Sequence, residues 1–399
     1  MTVPKALPPL TEFLLRQGAF ASEKFAVVDV GASSGIDPRW FFFGDCLQAV
    51  GFDPLQQEVD RLNASNTHPG VRYVAAFVGS RHPNDLLPPE TRQDKIHSRD
   101  NAAFERTSAA RARDLLHLPE GHARFDETGS GDLTGDTLEL SNYLDKYGPP
   151  SPDFVKVDTD GCDLAVLLSA ERTLQHKAVL GLRVECQLHG PVHPRSFVFS
   201  NIDAFLRSCG FTLFDLVPFR QSRAVLPRRF VHLEPTQTVA GQVQWAEACY
   251  FLDAGDPDFE KKWPVELSQA KLAKLVCLFE MHELGDCAAE VLLKYRNRLA
   301  ASMDVDRCLD LLAGRAPDGS SAYPNYVACF ERNPESFFPE VTRRFVVGDD
   351  AYINDLEDDV RGLDAQCAWQ GREMAALRAS LSWRITAPLR RVLGWLKSP

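Results

Sequence analysis

Residues 25–35 read FAVVDVGASSG, and this stretch decides the fold. Phe25 to Val30 is an apolar run with one acid, which is typical of a strand buried on both faces of a parallel sheet. Glycines follow at once, at Gly31 and Gly35, and allow the backbone to turn tightly and to approach a ligand closely. The segment therefore predicts a buried strand that runs through a ligand-binding turn into a helix.

The next predicted strand, residues 48–52, ends at an acid. In a doubly wound sheet this end lies beside the first turn, where a carboxylate can accept hydrogen bonds from both hydroxyls of a ribose. Free N–H groups at the start of a helix favour an anionic group such as a carboxylate. Alternatively, the glycines only permit the turn and the acid only caps a loop. The combination predicts a cofactor site at Asp29, Gly31, Ser33, Gly35 and Asp53.

Strand and helix patterns alternate outward from this stretch. Further strands are predicted at 71–78, 154–158 and 181–187, and the segments 211–217 and 245–252 are expected to close the sheet as an antiparallel pair. Helices are predicted at 10–17, 137–147, 163–169 and 201–208. The pattern predicts an α/β fold with a doubly wound, mainly parallel sheet of seven strands, followed by a small helical region.

The chain of 399 residues is long enough for more than one domain. We expect residues 1–255 to form the α/β domain, with an insertion or lid at 81–136 that is too long for a simple connection. Residues 256–345 are predicted to form a helical subdomain that contains a hairpin near Gly285. A helical segment and a basic amphipathic tail follow at 346–399.

Bulk properties exclude several classes of protein. A formal charge of −11 argues against nucleic-acid binding through bulk electrostatics. The ten cysteines show no C-x-x-C pair, so we predict reduced thiols rather than disulfides or a zinc site. The N-terminus lacks the features of a signal peptide, and no stretch approaches the ~20 apolar residues of a membrane span. We therefore expect a cytoplasmic protein.

Four segments, in this order, resemble the FkbM family of methyltransferases. They are VVDVGASSG at 27–35, GFDP at 51–54, TLELSNYL at 137–144 and FVKVDTDGCDL at 154–164. The family commonly has K-I-D-V-E-G in the last segment, whereas this chain has Asp160 in place of the glutamate. The resemblance covers residues 20–255 and implies a class I methyltransferase fold with S-adenosyl-L-methionine as cofactor. It also implies O-methylation, commonly of sugars or other hydroxylated metabolites.

A sugar hydroxyl is a poor nucleophile at neutral pH, so a general base is useful. The candidates lie at the carboxyl ends of the fourth and fifth strands: Asp158, Asp160, Glu185 and His189, with His193 in the same loop as His189. Each histidine is equally compatible with a solvent-exposed loop, and Asp158 with a role in cofactor binding. Glu185 needs either a buried partner such as Arg183 or a role in the pocket. A divalent cation is a further alternative, but no tight cluster of ligands supports a metal site.

The C-terminal segment SLSWRITAPLR, residues 380–390, resembles the S-x-S-W-R-x-T-x-P-L-R ending of bacterial surface-polysaccharide enzymes. Within residues 383–397, the stretch that follows Pro388 is predicted to form a basic amphipathic helix. Such a helix suits peripheral contact with the inner face of the plasma membrane or with a glycan-assembly enzyme. The alternative is that it packs on its own domain.

Together these patterns predict an S-adenosylmethionine-dependent O-methyltransferase. Its expected substrate is a sugar hydroxyl of a cell-surface polysaccharide or its precursor. One alternative is a non-catalytic binding or assembly module of a glycan-biosynthesis complex. An NAD-type oxidoreductase is disfavoured, because Ser33 and Ile36 stand where a G-x-G-x-x-G motif needs glycine.

Overall fold

A computed structural model describes residues 8–79, 137–159, 161–190, 192–194, 196–222, 228–231, 234–263 and 266–337. The predicted insertion at 81–136, the candidate base Asp160 and the segment 346–399 with its amphipathic tail lie outside these residues. The chain divides into two compact units, residues 1–314 and 315–399. The domain boundary expected at 255/256 stays a prediction.

A seven-stranded sheet forms the centre of the first unit. Its strands are β1 (Phe25–Val30), β2 (Leu47–Asp53), β3 (Val71–Ala75), β6 (Phe154–Val157), β7 (Gly181–Gln187), β8 (Phe211–Gln221) and β11 (Gln242–Leu252). They lie in the order β3-β2-β1-β6-β7-β11-β8, and β11 runs in the direction opposite to that of the other six strands. The predicted fold class is therefore confirmed, including the antiparallel pair that closes the sheet.

Two short strand pairs lie outside this sheet. The pair β4 (Phe77–Val78) and β5 (Thr137–Leu138) is parallel, and the pair β9 (Phe230–Val231) and β10 (Glu234–Thr238) is antiparallel. The sequence predicted one strand over 71–78, but the chain leaves the main sheet at Ala76, whose N–H donates to the carbonyl of Asp53 at 3.0 Å. The helix predicted from residue 137 begins at 140, because residues 137–138 pair with β4.

Helices flank the sheet and continue beyond it, as the sequence predicted. In the first unit they are α1 (Pro9–Arg16), α2 (Gln56–Ser65), α3 (Leu140–Tyr147), α4 (Asp163–Ser169), α5 (Glu171–His176), α6 (Phe199–Ser208), α7 (Phe259–Lys262), α8 (Gln269–Met281), α9 (Gly285–Lys294), α10 (Arg296–Leu299) and α11 (Val305–Ala313). The second unit contains α12 (Tyr323–Arg332). No described helix combines the length and apolar character needed to span a bilayer.

The segment between β1 and β2 differs from the predicted helix. Residues Pro38–Cys46 form 3₁₀ turns, and the backbone of Gly44 breaks them with a φ of 49°. Trp40 and Phe43 are buried and pack against Phe25 of β1. The physical reason is local: an aromatic cluster next to a left-handed glycine anchors this segment to the sheet without a regular α-helix.

Helix α8 is joined to the sheet by buried charges. The carboxylate of Asp153, which directly precedes β6, lies 2.7 Å from Lys271 Nζ and 3.0 Å from Lys274 Nζ. The same carboxylate accepts a hydrogen bond from the N–H of Ala26 at 2.7 Å. Both lysines belong to α8, so this contact fixes the longest helix of the predicted helical region at the amino ends of β1 and β6.

Candidate cofactor site

The first turn lies between the ends of two strands. The N–H groups of Gly31 and Ala32 both donate to the carbonyl of Phe52, each at 2.9 Å, so the turn packs beside the end of β2. Gly31 has a φ of +91°, and a Cβ at this position would lie 1.7 Å from the carbonyl oxygen of Asp158. Only glycine permits this close approach, because any side chain would force the ends of β1 and β6 apart.

Tyr73 on β3 holds the far side of the turn. Its hydroxyl accepts a hydrogen bond from the N–H of Ile36 at 3.2 Å. Gly51 on the intervening strand leaves room for this side chain, since a Cβ there would lie 2.7 Å from the tyrosine ring. Sequence reasoning missed Tyr73. The available signal was Gly51 itself, because a glycine inside a strand often marks the close approach of another group.

Two backbone donors of the turn remain open. Ser33 and Ser34 are exposed, and their N–H groups have no partner within the described part of the chain. The start of the following 3₁₀ segment is already capped, since Asp37 accepts a hydrogen bond from the N–H of Arg39 at 2.9 Å. The donors that could bind an anion were expected at the start of a helix but lie in the turn instead, and the N–H group of Ser33 is one of them.

Asp53 lies next to the turn, one residue after the carbonyl that the turn contacts. Its side chain is only 5% exposed, and Oδ1 accepts a hydrogen bond from the N–H of Leu55 at 2.8 Å. The other oxygen, Oδ2, has no partner among the described residues. Burial raises the pKa of this carboxyl above its ordinary value, although the bond from Leu55 opposes the shift. Asp53 is thus oriented by one contact and keeps an acceptor for a ligand.

Asp29 is the second buried acid at this edge, 2% exposed on β1. Its nearest cation is Lys156 on β6, with 3.6 Å between Nζ and Oδ1, and Oδ1 has no hydrogen-bond partner among the described residues. Burial raises the pKa of Asp29 to about 6, while the charge of Lys156 partly offsets this rise. The site therefore contains an acid whose charge is incompletely compensated.

Lys156 connects Asp29 to Asp158, the first residue after β6. Its Nζ lies 3.0 Å from Asp158 Oδ2, and the Asp158 side chain is 40% exposed. Burial lowers the pKa of Lys156, but the charges of Asp29 and Asp158 raise it by more than burial lowers it. The pKa of Lys156 therefore lies above its ordinary value. Lys156 was not among the predicted site residues, although it stands in the quoted 154–164 segment.

Asp163 shapes the loop that follows Asp158. It accepts hydrogen bonds from the N–H of Thr159 at 2.9 Å, the hydroxyl of Thr159 at 3.0 Å and the N–H of Gly161 at 3.2 Å. Burial raises the pKa of Asp163 to about 6. Sequence reasoning missed this role, for which the signal was an acid in the first turn of a helix, two residues after a glycine. The candidate Asp160 belongs to the same loop but lies outside the described residues.

The remaining candidates lie on β7 and after it. Glu185 is 5% exposed and stands opposite Glu247 of β11. Arg183, suggested as its partner, forms its ion pair with Glu247 instead. The strand register pairs Val157 with Val184, so the residues that follow them, Asp158 and Glu185, lie at the same level of the sheet.

His189 and His193 follow β7 in one loop and have different contacts. Nε2 of His189 lies 2.6 Å from the carbonyl oxygen of Val243. The carbonyl of His193 accepts hydrogen bonds from the N–H and hydroxyl of Ser196 and from the side-chain amide of Asn201. Thus the backbone of His193 stabilises the loop, whereas the imidazole of His189 is held in a fixed orientation. Within the described ranges, no three His, Cys, Asp or Glu side chains form a group that could hold a metal ion.

The model of one protein family, described as "Methyltransferase FkbM domain", matches residues 29–213. The match begins at Asp29, spans the turn, Asp53 and the loop after β6, and ends within β8. Residues 29–213 are a methyltransferase FkbM domain. The chain is an S-adenosylmethionine-dependent methyltransferase, as the resemblance of its motifs implied.

Solved structures of other methyltransferases resemble the FkbM domain only distantly. A TehB-like S-adenosylmethionine-dependent methyltransferase from Corynebacterium glutamicum matches with 11% identity, 60% coverage of this chain, 86% coverage of its own and a TM-score of 0.23. A putative S-adenosylmethionine-dependent methyltransferase from Listeria monocytogenes matches with 8% identity, 60% and 98% coverage and a TM-score of 0.30. Because these identities and TM-scores are low, the fold is assigned from the strand order of the sheet. No curated protein sequence matches the chain significantly.

The geometry of the FkbM domain fits an adenosyl amino acid. Asp53 has a carboxylate oxygen that could accept from ribose hydroxyls, and the turn has the N–H groups of Ser33 and Ser34, which could donate to a carboxylate. Asp29 adds a buried acceptor without a hydrogen bond. These groups belong to one edge of the sheet, where the strand order reverses at β1, which is the usual ligand-binding position in open α/β sheets.

Proposed function

We propose that the FkbM domain methylates a sugar hydroxyl of a cell-surface polysaccharide or its precursor. The observation that carries the proposal is the polar character of the ends of β6 and β7. Asp158 and Glu185 lie at the same level of the sheet, and His189 stands in the loop that follows β7. Carboxylates and an imidazole accept hydrogen bonds from hydroxyl groups, so this edge suits a hydroxyl-rich acceptor better than an apolar one. The quoted motifs and the C-terminal segment at 380–390 support the same substrate class.

In this proposal the cofactor is held by the residues that the sequence singled out. Asp53 Oδ2 accepts hydrogen bonds from the ribose hydroxyls, and the N–H groups of Ser33 and Ser34 donate to the cofactor's carboxylate. Asp29 Oδ1 accepts a hydrogen bond from its amino group. Gly31 and Gly35 contribute by shape, since their positive φ angles produce the turn.

When bound, S-adenosylmethionine would supply an electrophilic methyl group on a sulfonium, with the sulfur as the leaving group that takes the C–S electron pair. The acceptor hydroxyl would have to give up its proton. We assign that proton to Nδ1 of His189. Its Nε2 lies against the carbonyl of Val243, which can only accept, so Nε2 carries the hydrogen and Nδ1 has a free lone pair. The weaker contact from Gln242, at 3.4 Å to the same Nε2, does not change this tautomer.

Asp158 acts in this proposal as a positioning group rather than the base. Its carboxylate already forms an ion pair with Lys156, with 3.0 Å between Nζ and Oδ2. It is 40% exposed and directly follows β6, so it can accept a hydrogen bond from a second hydroxyl of the acceptor. Glu185 and Asp160 stay candidates for the same polar pocket.

The first experiment tests cofactor binding by calorimetry. Adenosylhomocysteine should bind the wild-type chain and NAD should not. Asp53→Ala should weaken adenosylhomocysteine binding by about 100-fold or more, because two hydrogen bonds to a charged acceptor are lost. Asp60→Ala, which removes an exposed carboxylate from α2, serves as the control and should leave the affinity unchanged. Equal affinity in both variants would remove Asp53 from the site.

The second experiment tests the acceptor and the base. Deleting the gene should remove an O-methyl group from the surface glycan, as measured by mass spectrometry, and restoring the wild-type gene should return it. His189→Asn should lower the methylation rate by about 100-fold or more while adenosylhomocysteine still binds. An unchanged glycan in the deletion strain would reject the substrate proposal and leave the cofactor site intact.

A further inference from the structure

A cavity of about 240 Å³ lies in the first unit, at the edge of the sheet opposite the cofactor turn. It is lined by residues of α7, by Trp263, Glu266 and Leu267 after α7, by Tyr295 before α10 and by Arg298 of α10. β8 begins and antiparallel β11 ends at this same edge, just before α7. Because a six-residue strand spans roughly 20 Å, the cavity is separate from the proposed methyl-transfer site.

The floor of the cavity is aromatic and apolar. Phe259, Leu267 and Tyr295 line it and are at most 7% exposed. The half-buried indole of Trp263 lines it too and rests against Gly210, where a Cβ would lie 2.8 Å from the ring. Gly210 has a φ of +96°, so the backbone itself provides the surface against which the indole is held.

The rim of the cavity contains charged groups of both signs. Glu260 accepts a hydrogen bond from the hydroxyl of Tyr295 and lies 3.0 Å from Lys294 Nζ. Arg298 donates to the carbonyl of Leu267 at 2.6 Å, and its guanidinium carbon lies 5.5 Å from the centre of the Tyr295 ring. With the exposed Glu266, the lining residues provide two carboxylates and one guanidinium. The rim therefore offers both hydrogen-bond acceptors and donors to a ligand.

We propose that this cavity binds one neutral pyranose ring of the glycan acceptor, at a distance from the residue that is methylated. Aromatic side chains contact the apolar C–H face of a sugar ring, and the guanidinium and carboxylates of the rim exchange hydrogen bonds with its hydroxyls. The volume is below the ~300–1,000 Å³ of pockets for larger ligands, which suits a single ring. The inference rests on the proposed glycan substrate.

Saturation-transfer NMR on the full chain tests this site without methyl transfer. The probes are the methyl α-glycosides of glucose, galactose, mannose and N-acetylglucosamine. At least one should receive saturation on its ring C–H protons. Trp263→Ala should weaken that binding about tenfold or more, because aromatic anchors dominate such sites. Trp263→Phe, which keeps an aromatic ring, should restore part of the affinity.

Matched variants keep the test valid if Trp263→Ala does not fold. Arg298→Gln at the exposed rim should weaken glycoside binding about fivefold, whereas Arg61→Gln on α2 should not change it. Asp53→Ala should also leave it unchanged, and adenosylhomocysteine binding to the Trp263 and Arg298 variants should equal that of the wild type.

Three outcomes would overturn the proposal: no saturation of any glycoside, equal saturation in the wild-type, Trp263→Phe and Arg298→Gln chains, or stronger binding of choline than of every glycoside. Glycoside binding in a chain that leaves surface glycan unmethylated would reject the proposed acceptor of methyl transfer while supporting a sugar site in this cavity.

Discussion

Both edges of the central sheet contain a buried aspartate near a lysine, but the two acids are compensated differently. At the amino edge, Asp153 accepts a hydrogen bond from a backbone N–H and contacts Lys271 and Lys274 within 3.0 Å. At the carboxyl edge, Asp29 has one lysine, Lys156, whose Nζ lies 3.6 Å from its Oδ1.

The difference distinguishes a buried acid that stabilises the fold from a buried acid that is available to a ligand. A buried acid with close partners holds elements in register, and removing it leaves the partner charges without compensation. A buried acid with a distant partner costs stability, and this cost is tolerated where a ligand completes the contacts. The raised pKa of Asp29, about 6, reflects that cost of burying a charge. We infer that the amino edge maintains the fold and that the carboxyl edge is prepared for the cofactor.

The largest expected effect is at the amino edge. Asp153→Ala should lower the free energy of unfolding by about 3–5 kcal/mol, because the buried Lys271 loses its counter-charge and Lys274 keeps only Glu23. Urea denaturation of the wild type and the variant measures this loss in the free energy of unfolding. Asp145→Ala is the control, since Asp145 pairs with Arg172 and Lys177 at the surface and its loss should cost less than about 1 kcal/mol. Similar losses in the two variants would contradict the distinction between the buried cluster and a surface pair.

At the carboxyl edge the expected change has the opposite sign. Asp29 has a folded-state pKa above its ordinary value of 3.8, so the folded chain binds the proton more tightly. Its contribution to stability is therefore greatest in acid and is lost as the pH rises through about 6. Asp29→Asn should raise the free energy of unfolding at pH 7 by about 2 kcal/mol and weaken adenosylhomocysteine binding.

Denaturation of both chains between pH 4 and pH 7 measures this effect. The decline in stability with rising pH should be shallower in Asp29→Asn, and Asp163, whose pKa is also raised to about 6, accounts for part of the remaining decline. Asp37→Asn is the control of opposite sign, because the bonds from Arg39 outweigh burial and lower the pKa of Asp37. That variant should be less stable at pH 7. A destabilised Asp29→Asn chain would show that Lys156 fully compensates Asp29.

The smallest expected effect tests whether α8 is anchored mainly by Asp153. Glu280, near the end of α8, accepts hydrogen bonds from the N–H groups of Leu10 and Thr11 and from the hydroxyl of Thr11. Glu280→Gln should lower the free energy of unfolding by about 1 kcal/mol, since a neutral amide accepts these bonds more weakly. Thermal unfolding measures the change, with the exposed Glu12→Gln as control. A loss as large as that of Asp153→Ala would mean that both contacts anchor α8 equally.

Sequence reasoning recovered the elements whose signals are local. The limits of β1 and β7 match the predicted ones, and the apolar run with its glycine turn was sufficient to locate the centre of the sheet. The 3₁₀ segment after the turn and the break at Ala76 were not predicted, because each depends on contacts with distant strands. The same reason explains the site residues that were missed: Tyr73 and Lys156 act across neighbouring strands, and Asp163 folds back on its own loop.

By itself, the sequence determined the class of the fold, the turn at Gly31 and the acid at the end of β2. These follow from hydrophobic periodicity and from the backbone freedom of glycine, which act over a few residues. Only the tertiary structure decided which acids are compensated. Asp29 and Asp153 each belong to an apolar stretch, and the distance from each carboxylate to a lysine on another element depends on how strands and helices pack. Electrostatic compensation is set by that packing, because the charge–charge energy depends on the separation and burial of groups far apart in the chain.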